Sequence, residues 1–374
     1  MDNILLSSAL AFLITYFAIP AIIRVAKDKK LFDEPDERKV HKAVIPTLGG
    51  LGIFAGFIIA TLMGVPVHLA NELQYFLAAA MVIFFMGVKD DILILSASKK
   101  FMGQLIAAGI IIKFGGIQIS NLQGFLGVYE IPHFASYIIT AFTIIVVTNS
   151  FNLIDGVDGL AGSLGLLTSS IFGVYFLLTG EVMYSVMALS LAGSLIAFLI
   201  YNFSPAKIFM GDTGSLLIGL LNSIFAIKFM TLAASPESAI PLLSAPALAF
   251  AILIVPLFDT LRVFSLRIFN RRSPFSPDRN HIHHFLLDIG FSQRMITLIC
   301  VSANVVFIGL AYVLRSQGTT IVIGALATAA LLFVTVVYYS RPKQRFAAEA
   351  REHEGDIIKS HKILTLISEP VEQD

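Results

Sequence analysis

The sequence predicts an all-α protein that is embedded in a membrane and crosses it about eleven times. The chain has 374 residues, of which 56% are hydrophobic and only 14% are charged. Soluble domains are about 45–50% apolar and about 25% charged, so this composition is typical of a polytopic membrane protein. A span requires about 20 mainly apolar residues. The eleven candidate segments, of which the third and fourth are short, cover residues 4–24, 46–66, 74–89, 101–113, 133–149, 162–179, 183–201, 214–232, 240–262, 293–314 and 319–339.

The distribution of positive charge predicts the orientation of these spans. With the amino terminus outside, all but three of the 26 Lys and Arg residues fall in the inner connections and the carboxyl-terminal tail. Because basic loops stay in the cytoplasm, we expect an outer amino terminus and a cytoplasmic carboxyl terminus. No base precedes the first apolar run, which indicates a retained span and not a cleaved signal. Residues 1–340 form the predicted membrane domain and 341–374 a cytoplasmic tail, in which Arg341, Lys343 and Arg345 are expected to touch anionic lipid.

Charge and cysteine content exclude other classes of protein. The net charge of +1 gives no electrostatic attraction for nucleic acid, and the single cysteine, Cys300, cannot form an intramolecular disulfide. The outer connections are polar turns, whereas every cluster of reactive side chains lies at an inner end. Transporters place ionisable residues near the middle of their spans, where Lys228 is the chief candidate here. The pattern favours a site on the cytoplasmic membrane face, and a transporter is the alternative of another class.

The first inner connection offers a basic group. Lys42, with His41 beside it, is predicted to reach a phosphate, although a plain basic loop is the alternative. Pro46 is suited to a helix start, and Gly49 and Gly50 permit close packing of helices.

Adjacent carboxylates end the third segment. Asp90 and Asp91 repel each other, so we expect a cation near them or a retained proton. Oxygen ligands of this kind suit Mg²⁺, which shares its coordination with waters and substrate phosphates. Lys100, at the start of the next segment, is expected to return toward the same site.

The stretch between the fifth and sixth segments reads TNSFNLIDGVDGLAG. If it is helical at first, Asn149, Asn152 and Asp155 share one face, while Asp158 projects separately. Gly156 would break the helix and let the backbone approach a ligand. Polar capping of a helix junction is the alternative.

The eighth segment begins with the sequence GDTG. Asp212 or Thr213 is expected to cap this helix, whose free N–H groups also form a natural seat for phosphate. A carboxylate would repel phosphate unless a metal ion stands between them, which makes Asp212 a candidate metal ligand. Phe209 offers a ring face for stacking a base, or packs in the core.

The longest inner connection is basic and rich in imidazole. Arg279, His281, His283 and His284 are predicted to hold a diphosphate, and Asp259 faces the same side. Structural zinc is the alternative, although the spacing lacks the Cys partners or the H-E-x-x-H pattern of familiar zinc sites.

Four motifs in this order, KDDI, NSFNLIDGVDGLAG, IFMGDTGSLLIG and DRNHIHHFLL, resemble those of the polyprenyl-phosphate N-acetylhexosamine-1-phosphate transferases of the WecA/TagO type. The resemblance covers about residues 49–290. The related phospho-N-acetylmuramoyl-pentapeptide transferases (MraY-like) carry an unbroken run of three histidines followed by Glu, whereas Ile282 interrupts the run here. They remain the alternative within the same superfamily.

The resemblance implies transfer of N-acetylhexosamine 1-phosphate, most commonly N-acetylglucosamine 1-phosphate, from a UDP-sugar to undecaprenyl phosphate, with release of UMP. It implies a bacterial inner-membrane enzyme that needs Mg²⁺ or Mn²⁺, forms homodimers and initiates a surface polysaccharide such as O-antigen, common antigen or teichoic acid. By motif matching, the metal ligands would be Asn152 and Asp212; the catalytic residues Asp90, Asp91, Asp155 and His281; and the substrate contacts Lys42, Lys100, Asn149, Asp158, Phe209, Arg279, His283 and His284.

Overall fold

The computed structural model describes residues 2–29, 45–271 and 280–342, and these are mostly helical. The helices are α1 (Asp2–Asp28), α2 (Gly49–Gly64), α3 (Leu73–Ile92), α4 (Ala97–Lys113), α5 (His133–Ile154), α6 (Leu160–Leu178), α7 (Val182–Asn202), α8 (Gly211–Ala234), α9 (Ala245–Ile252), α10 (Ile254–Phe269), α11 (Ile282–Ile289), α12 (Gln293–Leu314) and α13 (Thr319–Tyr339), with 3₁₀ turns at Val67–Leu69 and Arg315–Gln317. Two strands, β1 (Asn121–Phe125) and β2 (Val128–Glu130), complete this part of the chain.

Helix length and composition identify the chain as a polytopic membrane protein. Within the described ranges, seven helices are long and apolar enough to cross a membrane, and an eighth is counted if α9 and α10 form one bent span. Each of the eleven predicted segments contains a helix, but α2 and α4 are only 16 and 17 residues long. A helix satisfies its backbone hydrogen bonds internally, as the bilayer core requires. The number of crossings stays a prediction.

The ninth predicted segment is not one straight helix. It is divided into α9 and α10, which are bent by 84° at Leu253. Pro256 has no N–H to donate to the carbonyl of Ile252, four residues earlier. The buried Asn304 of α12 replaces the missing bonds: its Nδ2 donates to the Ile252 oxygen (3.0 Å), and its Oδ1 accepts from the Val255 nitrogen (3.2 Å). The bend therefore carries no orphaned backbone group at these positions.

The connection between α4 and α5, predicted as a polar turn, contains a β-hairpin. Phe125 pairs with Val128 in antiparallel register, and the two residues between them, Leu126 and Gly127, both have positive φ. Two positive φ angles match the right-handed twist of the flanking strands, which explains the tight turn. The Thr320 hydroxyl of α13 accepts from the Leu126 nitrogen at 2.7 Å and fixes the hairpin to the helices.

Helix α8 packs against α2, α3, α5, α6 and α9, and two glycines bring its neighbours very close to its first turn. A Cβ atom at Gly50 would lie 2.3 Å from the Gly214 nitrogen, and one at Gly87 would lie 2.5 Å from the Cα of Thr213. The close packing predicted for Gly50 is thus confirmed. Two glycines let α2 and α3 contact the first turn of α8 directly, and this contact fixes the position of Asp212.

Helix α13 ends against α11. The Arg341 guanidinium lies 4.4 Å from the centre of the Phe285 ring, 4.2 Å from that of Tyr338 and 3.7 Å from the Asp288 carboxylate. Its side chain is buried. The predicted contact of Arg341 with lipid is therefore wrong, because a guanidinium stacks well on aromatic faces and finds its counter-charge on α11. Of the predicted tail, residues 343–374 lie outside the described ranges.

Candidate active site

Four helices bring predicted site residues into direct contact. The Lys100 ammonium at the start of α4 lies 2.7 Å from Asp212 Oδ2 on α8 and also pairs with Asp90 Oδ2 at the end of α3. The Asn152 amide of α5 donates to Asp212 Oδ1 at 2.9 Å. The cation predicted near the paired acids is Lys100. It bridges Asp90 and Asp212, which are 122 positions apart in the sequence.

Asp91 has a role different from that of Asp90. Its carboxylate accepts hydrogen bonds from the backbone nitrogens of Asp212 (2.7 Å) and Thr213 (3.1 Å) and from the Thr213 hydroxyl (2.5 Å). The expectation that Asp212 or Thr213 caps α8 is wrong, because a side chain from α3 provides the cap. The same carboxylate occupies the predicted phosphate seat, where free N–H groups and the helix dipole favour an anion.

Replacing Asp91 by Asn is expected to lower the thermal unfolding midpoint of the detergent-solubilised protein. The substitution removes the charge and leaves one acceptor oxygen for three donors, a loss of about 1–3 kcal/mol. The exposed Glu237, in the loop after α8, provides the matched control Glu237→Gln. An Asp91→Asn midpoint equal to that of wild type would contradict the capping role.

Asp90 lies where α3 ends. Besides pairing with Lys100, its carboxylate accepts from the Leu95 nitrogen at 2.6 Å. Asp90 thus contacts the loop between α3 and α4 through Leu95, and the first turn of α4 through Lys100. Asp90 and Lys100 therefore hold each other where α3 ends and α4 begins.

Asp155 ends α5 and carries a perturbed pKa. Although its side chain keeps some contact with solvent, the surrounding protein removes most of the hydration of the carboxylate. This burial, followed by the negative charges of Asp212, Asp91 and Asp158, raises the pKa of Asp155 to about 8. A pKa above 7 favours the protonated form of this carboxyl at neutral pH, whereas a cation bound nearby would favour the ionised form.

The two amides of α5, Asn149 and Asn152, have different hydrogen-bond partners. Helix α5 continues to Ile154, beyond the predicted end at residue 149. Asn149 exchanges hydrogen bonds with Gln104 of α4, at 2.7 and 3.2 Å, so both ends of its amide are engaged. Its substrate contact stays a prediction. Sequence reasoning missed Gln104, although a lone amide in an apolar helix is a recognisable sign of an interhelical bond.

Asp158 is buried and joins three segments. Its backbone nitrogen donates to Gln293 Oε1 at 2.9 Å, and its Oδ2 accepts from the Ala206 nitrogen at 3.0 Å. The loop after α5, the loop before α8 and the start of α12 therefore meet here. Phe209, in the second of these loops, is partly exposed, and its backbone nitrogen donates to the Pro46 oxygen at 2.7 Å. The substrate contacts predicted for Asp158 and Phe209 stay predictions.

The histidines cluster beside the loop that follows α5. His281 and His283 are 4% and 1% exposed, and His284 is partly exposed. A Cβ atom at Gly156 would lie 2.4 Å from His283 Nε2, which places this imidazole against the loop of Asp155. This is the close approach predicted for Gly156, although the neighbouring group is a protein side chain. Lys42, His41 and Arg279 lie outside the described residues.

The candidate ligands Asn152 and Asp212 suit Mg²⁺ only if waters or a bound phosphate complete the coordination of the ion. Asn152 and Asp212 are in contact, and the Ser215 hydroxyl, which sequence reasoning missed, lies 3.0 Å from the Asn152 amide. Within the described part of the chain, no group of three or more His, Cys, Asp or Glu side chains could hold a metal. Mg²⁺ keeps waters and takes phosphate oxygens, so two protein ligands are compatible with it, whereas structural zinc requires four.

Lys228, the one candidate for a charge in mid-membrane, has local partners. Its ammonium lies 3.4 Å from Glu181 and 4.6 Å above the ring of Tyr184. The Tyr184 hydroxyl in turn donates to Glu72 at 2.9 Å. These contacts join α8 to α7 and α3, and they do not favour the transporter alternative.

Fold and site together define a polytopic membrane protein with an acidic, lysine-bridged site at converging helix ends. Residues 73–230 match the model of glycosyl transferase family 4, and this range contains every described site residue except the histidines. The chain belongs to this family. The resemblance inferred from the four motifs is thereby confirmed.

Three curated relatives have similar sequences. The chain is 34% identical over 321 residues to the probable undecaprenyl-phosphate N-acetylglucosaminyl 1-phosphate transferase of Bacillus subtilis, with 84% of this chain and 87% of the relative covered. It is 36% identical to the decaprenyl-phosphate N-acetylglucosaminephosphotransferase of Mycobacterium tuberculosis, with 77% of each covered. It is 30% identical to the undecaprenyl-phosphate alpha-N-acetylglucosaminyl 1-phosphate transferase of Escherichia coli, with 72% and 73% covered.

Proposed function

We propose that this protein transfers N-acetylglucosamine 1-phosphate from UDP-N-acetylglucosamine to undecaprenyl phosphate, which gives undecaprenyl-diphosphate N-acetylglucosamine and UMP. The observation that carries the proposal is the contact of Asp90, Lys100, Asn152 and Asp212 from four helices. The names of the relatives support the same donor sugar and a polyprenyl phosphate acceptor. The product would initiate a cell-surface polysaccharide such as O-antigen, common antigen or teichoic acid.

The chemistry that we propose is a direct attack of a lipid phosphate oxygen on the β-phosphorus, with UMP as the leaving group. A phosphate monoester has its second pKa near 6, so at neutral pH it is largely the dianion and needs no strong base. Asp90 would then orient the acceptor through Lys100 and not form an aspartyl-phosphate. Asp91 holds the first turn of α8 and thereby fixes Asp212. In phosphoryl transfer the protein contributes mainly positioning and charge neutralisation, and these residues supply both.

Asn152 and Asp212 would hold Mg²⁺, or Mn²⁺ in its place, in this proposal. When bound, the ion would neutralise charge on the diphosphate of the donor. Asp212, Asp91 and Asp158 all lie close enough to Asp155 to act on it electrostatically, and this concentration of carboxylates supports the assignment. Lys100 would then be shared between the protein carboxylates and the phosphates.

We place the site on the cytoplasmic side of the bacterial inner membrane, with eleven spans, an outer amino terminus and a cytoplasmic carboxyl terminus. Support comes from the distribution of Lys and Arg residues and from the cytosolic supply of nucleotide sugars. The headgroup of undecaprenyl phosphate reaches the same surface. A homodimer is part of the proposal only through the family resemblance.

The reaction is tested with purified protein in detergent, undecaprenyl phosphate and Mg²⁺. A panel of UDP-sugars should include N-acetylglucosamine, N-acetylgalactosamine and N-acetylmuramoyl-pentapeptide donors, with UMP release and lipid product followed by mass. We expect UMP and lipid-diphosphate sugar in equal amounts from UDP-N-acetylglucosamine. Product from the muramoyl donor alone would favour the MraY-like alternative, and no product from any donor, with monodisperse protein, would refute the proposed activity.

Removal of divalent metal is expected to stop UMP release. A chelator such as EDTA in excess should reduce turnover to the background, because the two protein ligands alone leave the diphosphate charge uncompensated. Excess Mg²⁺ or Mn²⁺ should restore turnover, whereas Zn²⁺ alone should not. Undiminished turnover in the chelator would contradict the metal assignment.

A further inference from the structure

A buried carboxylate of α10 binds the beginning of the histidine-bearing helix α11. Asp259 is 3% exposed. Its Oδ2 lies 2.7 Å from His281 Nδ1, and its Oδ1 accepts from the Ile282 nitrogen at 3.0 Å and from Arg262 at 2.9 Å. Asp259 thus has three donors. Two of them come from the first residues of α11, and none belongs to the acidic site described above.

Arg262 ties the same segment to α10 a second time. Besides Asp259, its guanidinium donates to the backbone oxygen of Asn280, the residue before His281. It also lies 5.3 Å from the centre of the Phe285 ring, one turn further along α11. A planar guanidinium with several donors is suited to such a bridge. Asn280, His281 and Phe285 are therefore all held on α10 by one Asp and one Arg.

This arrangement fixes the chemistry of the His281 ring. Because Nδ1 faces Asp259, Nε2 is the ring nitrogen left to serve another group, and the ring cannot rotate without losing a hydrogen bond to a buried carboxylate. His281 and His283 lie nearly parallel, with centroids 5.6 Å apart and planes inclined by 6°. His283 Nε2 packs at Gly156, next to Asp155. The imidazoles thus extend from Asp259 to the edge of the proposed active site.

We infer that Asp259 is a positioning residue for the transfer reaction, which acts by holding His281, and with it α11, in the orientation that serves the diphosphate of the nucleotide sugar. Arg262 assists by fixing the backbone at Asn280. The inference rests on the proposed function, since it assigns a role within that reaction. It adds two residues of α10 to the Arg279 and histidine group that the sequence motif predicts in this part of the site.

The test is a double-mutant cycle between Asp259→Asn and His281→Gln. Asn keeps the size of Asp but presents an amide nitrogen toward donors, so the hold on His281 is lost. We expect Asp259→Asn alone to lower kcat by about tenfold to hundredfold, as is typical when the partner of a functional histidine is removed. In the His281→Gln background, Asp259→Asn should lower kcat by less than about threefold, because the effects of two interacting residues are not additive. Enzyme concentrations must be high enough to quantify slow turnover in all four proteins.

A purely structural role would give a different result. Asp259→Asn would then lower kcat by the same factor with either residue at position 281, and this outcome would overturn the inference. If Asp259→Asn is not monodisperse, Arg262→Lys takes its place in the same cycle, because it keeps the charge and Asp259 but loses the bridge to Asn280. Glu237→Gln, which removes an exposed carboxylate in the loop after α8, controls for loss of charge. Inactivity of the wild-type protein would refute the proposed function instead.

Discussion

Replacing Asp212 by Asn is expected to abolish transfer, with UMP release below about one thousandth of the wild-type rate. The Asp212 carboxylate pairs with the Lys100 ammonium at 2.7 Å and accepts a hydrogen bond from the Asn152 amide at 2.9 Å. Of the two candidate metal ligands, Asn152 and Asp212, it is the one that carries a negative charge. Asn has the same shape but no charge, so the ammonium and the metal would both lose their counter-ion. The measurement is kcat for UMP release at saturating donor, lipid and Mg²⁺.

The protein itself should remain folded in this variant. The first turn of α8 is held by Asp91 through backbone nitrogens, which an Asn side chain at position 212 leaves in place. Thermal unfolding and size-exclusion profiles close to those of wild type are therefore expected, and Glu237→Gln serves as the charge control. Wild-type turnover in Asp212→Asn would remove the metal assignment and with it the central role of this carboxylate.

Replacing Lys100 by Met has the second largest expected effect, a fall in kcat of about a hundredfold. Lys100 is the cation between Asp90 and Asp212, and Met keeps its length while removing the charge. Both carboxylates would then face each other across a partly buried space, which disfavours their ionised forms and repels the phosphates. The variant is compared with wild type in kcat and in KM for the UDP-sugar.

Lys99→Met is the matched control, because Lys99 precedes Lys100 on the same helix and is exposed. Its turnover should stay close to that of wild type. The turnover of Lys100→Arg should lie between those of Lys99→Met and Lys100→Met, since Arg keeps the charge but lacks the compact ammonium that fits between two carboxylates. Equal activity of Lys99→Met and Lys100→Met would contradict the bridging role.

Much of the architecture was predictable from hydropathy alone. Long apolar runs require helices in a bilayer, and so each predicted segment contains one. Acids at the ends of apolar runs also indicated the candidate site, because a carboxylate there is costly without a function or a partner. The prediction that Asp90, Asn152 and Asp212 lie together rested on the predicted orientation of the spans, and their contacts in the structure agree with it.

The remaining features depend on contacts that the sequence does not reveal. The bend at Leu253 needs Asn304 from another helix, and the cap of α8 comes from Asp91, 121 residues away from Asp212. A window of hydropathy cannot distinguish a broken helix from a straight one when both are apolar. Similarly, Asp259 looked like one more acid near the site, and only its distance to His281 reveals the pairing.

The burial of Arg341 bears on how the protein can be produced and labelled. Its side chain is enclosed by Phe285 and Tyr338 and is close to Asp288, so α11 depends on a residue that follows the last span. A shortened version that stops at Tyr339 would lose this support and leave two aromatic faces uncovered. Affinity tags and fluorescent fusions are better joined beyond Pro342, so that the arginine keeps its place and the tag does not disturb the histidines.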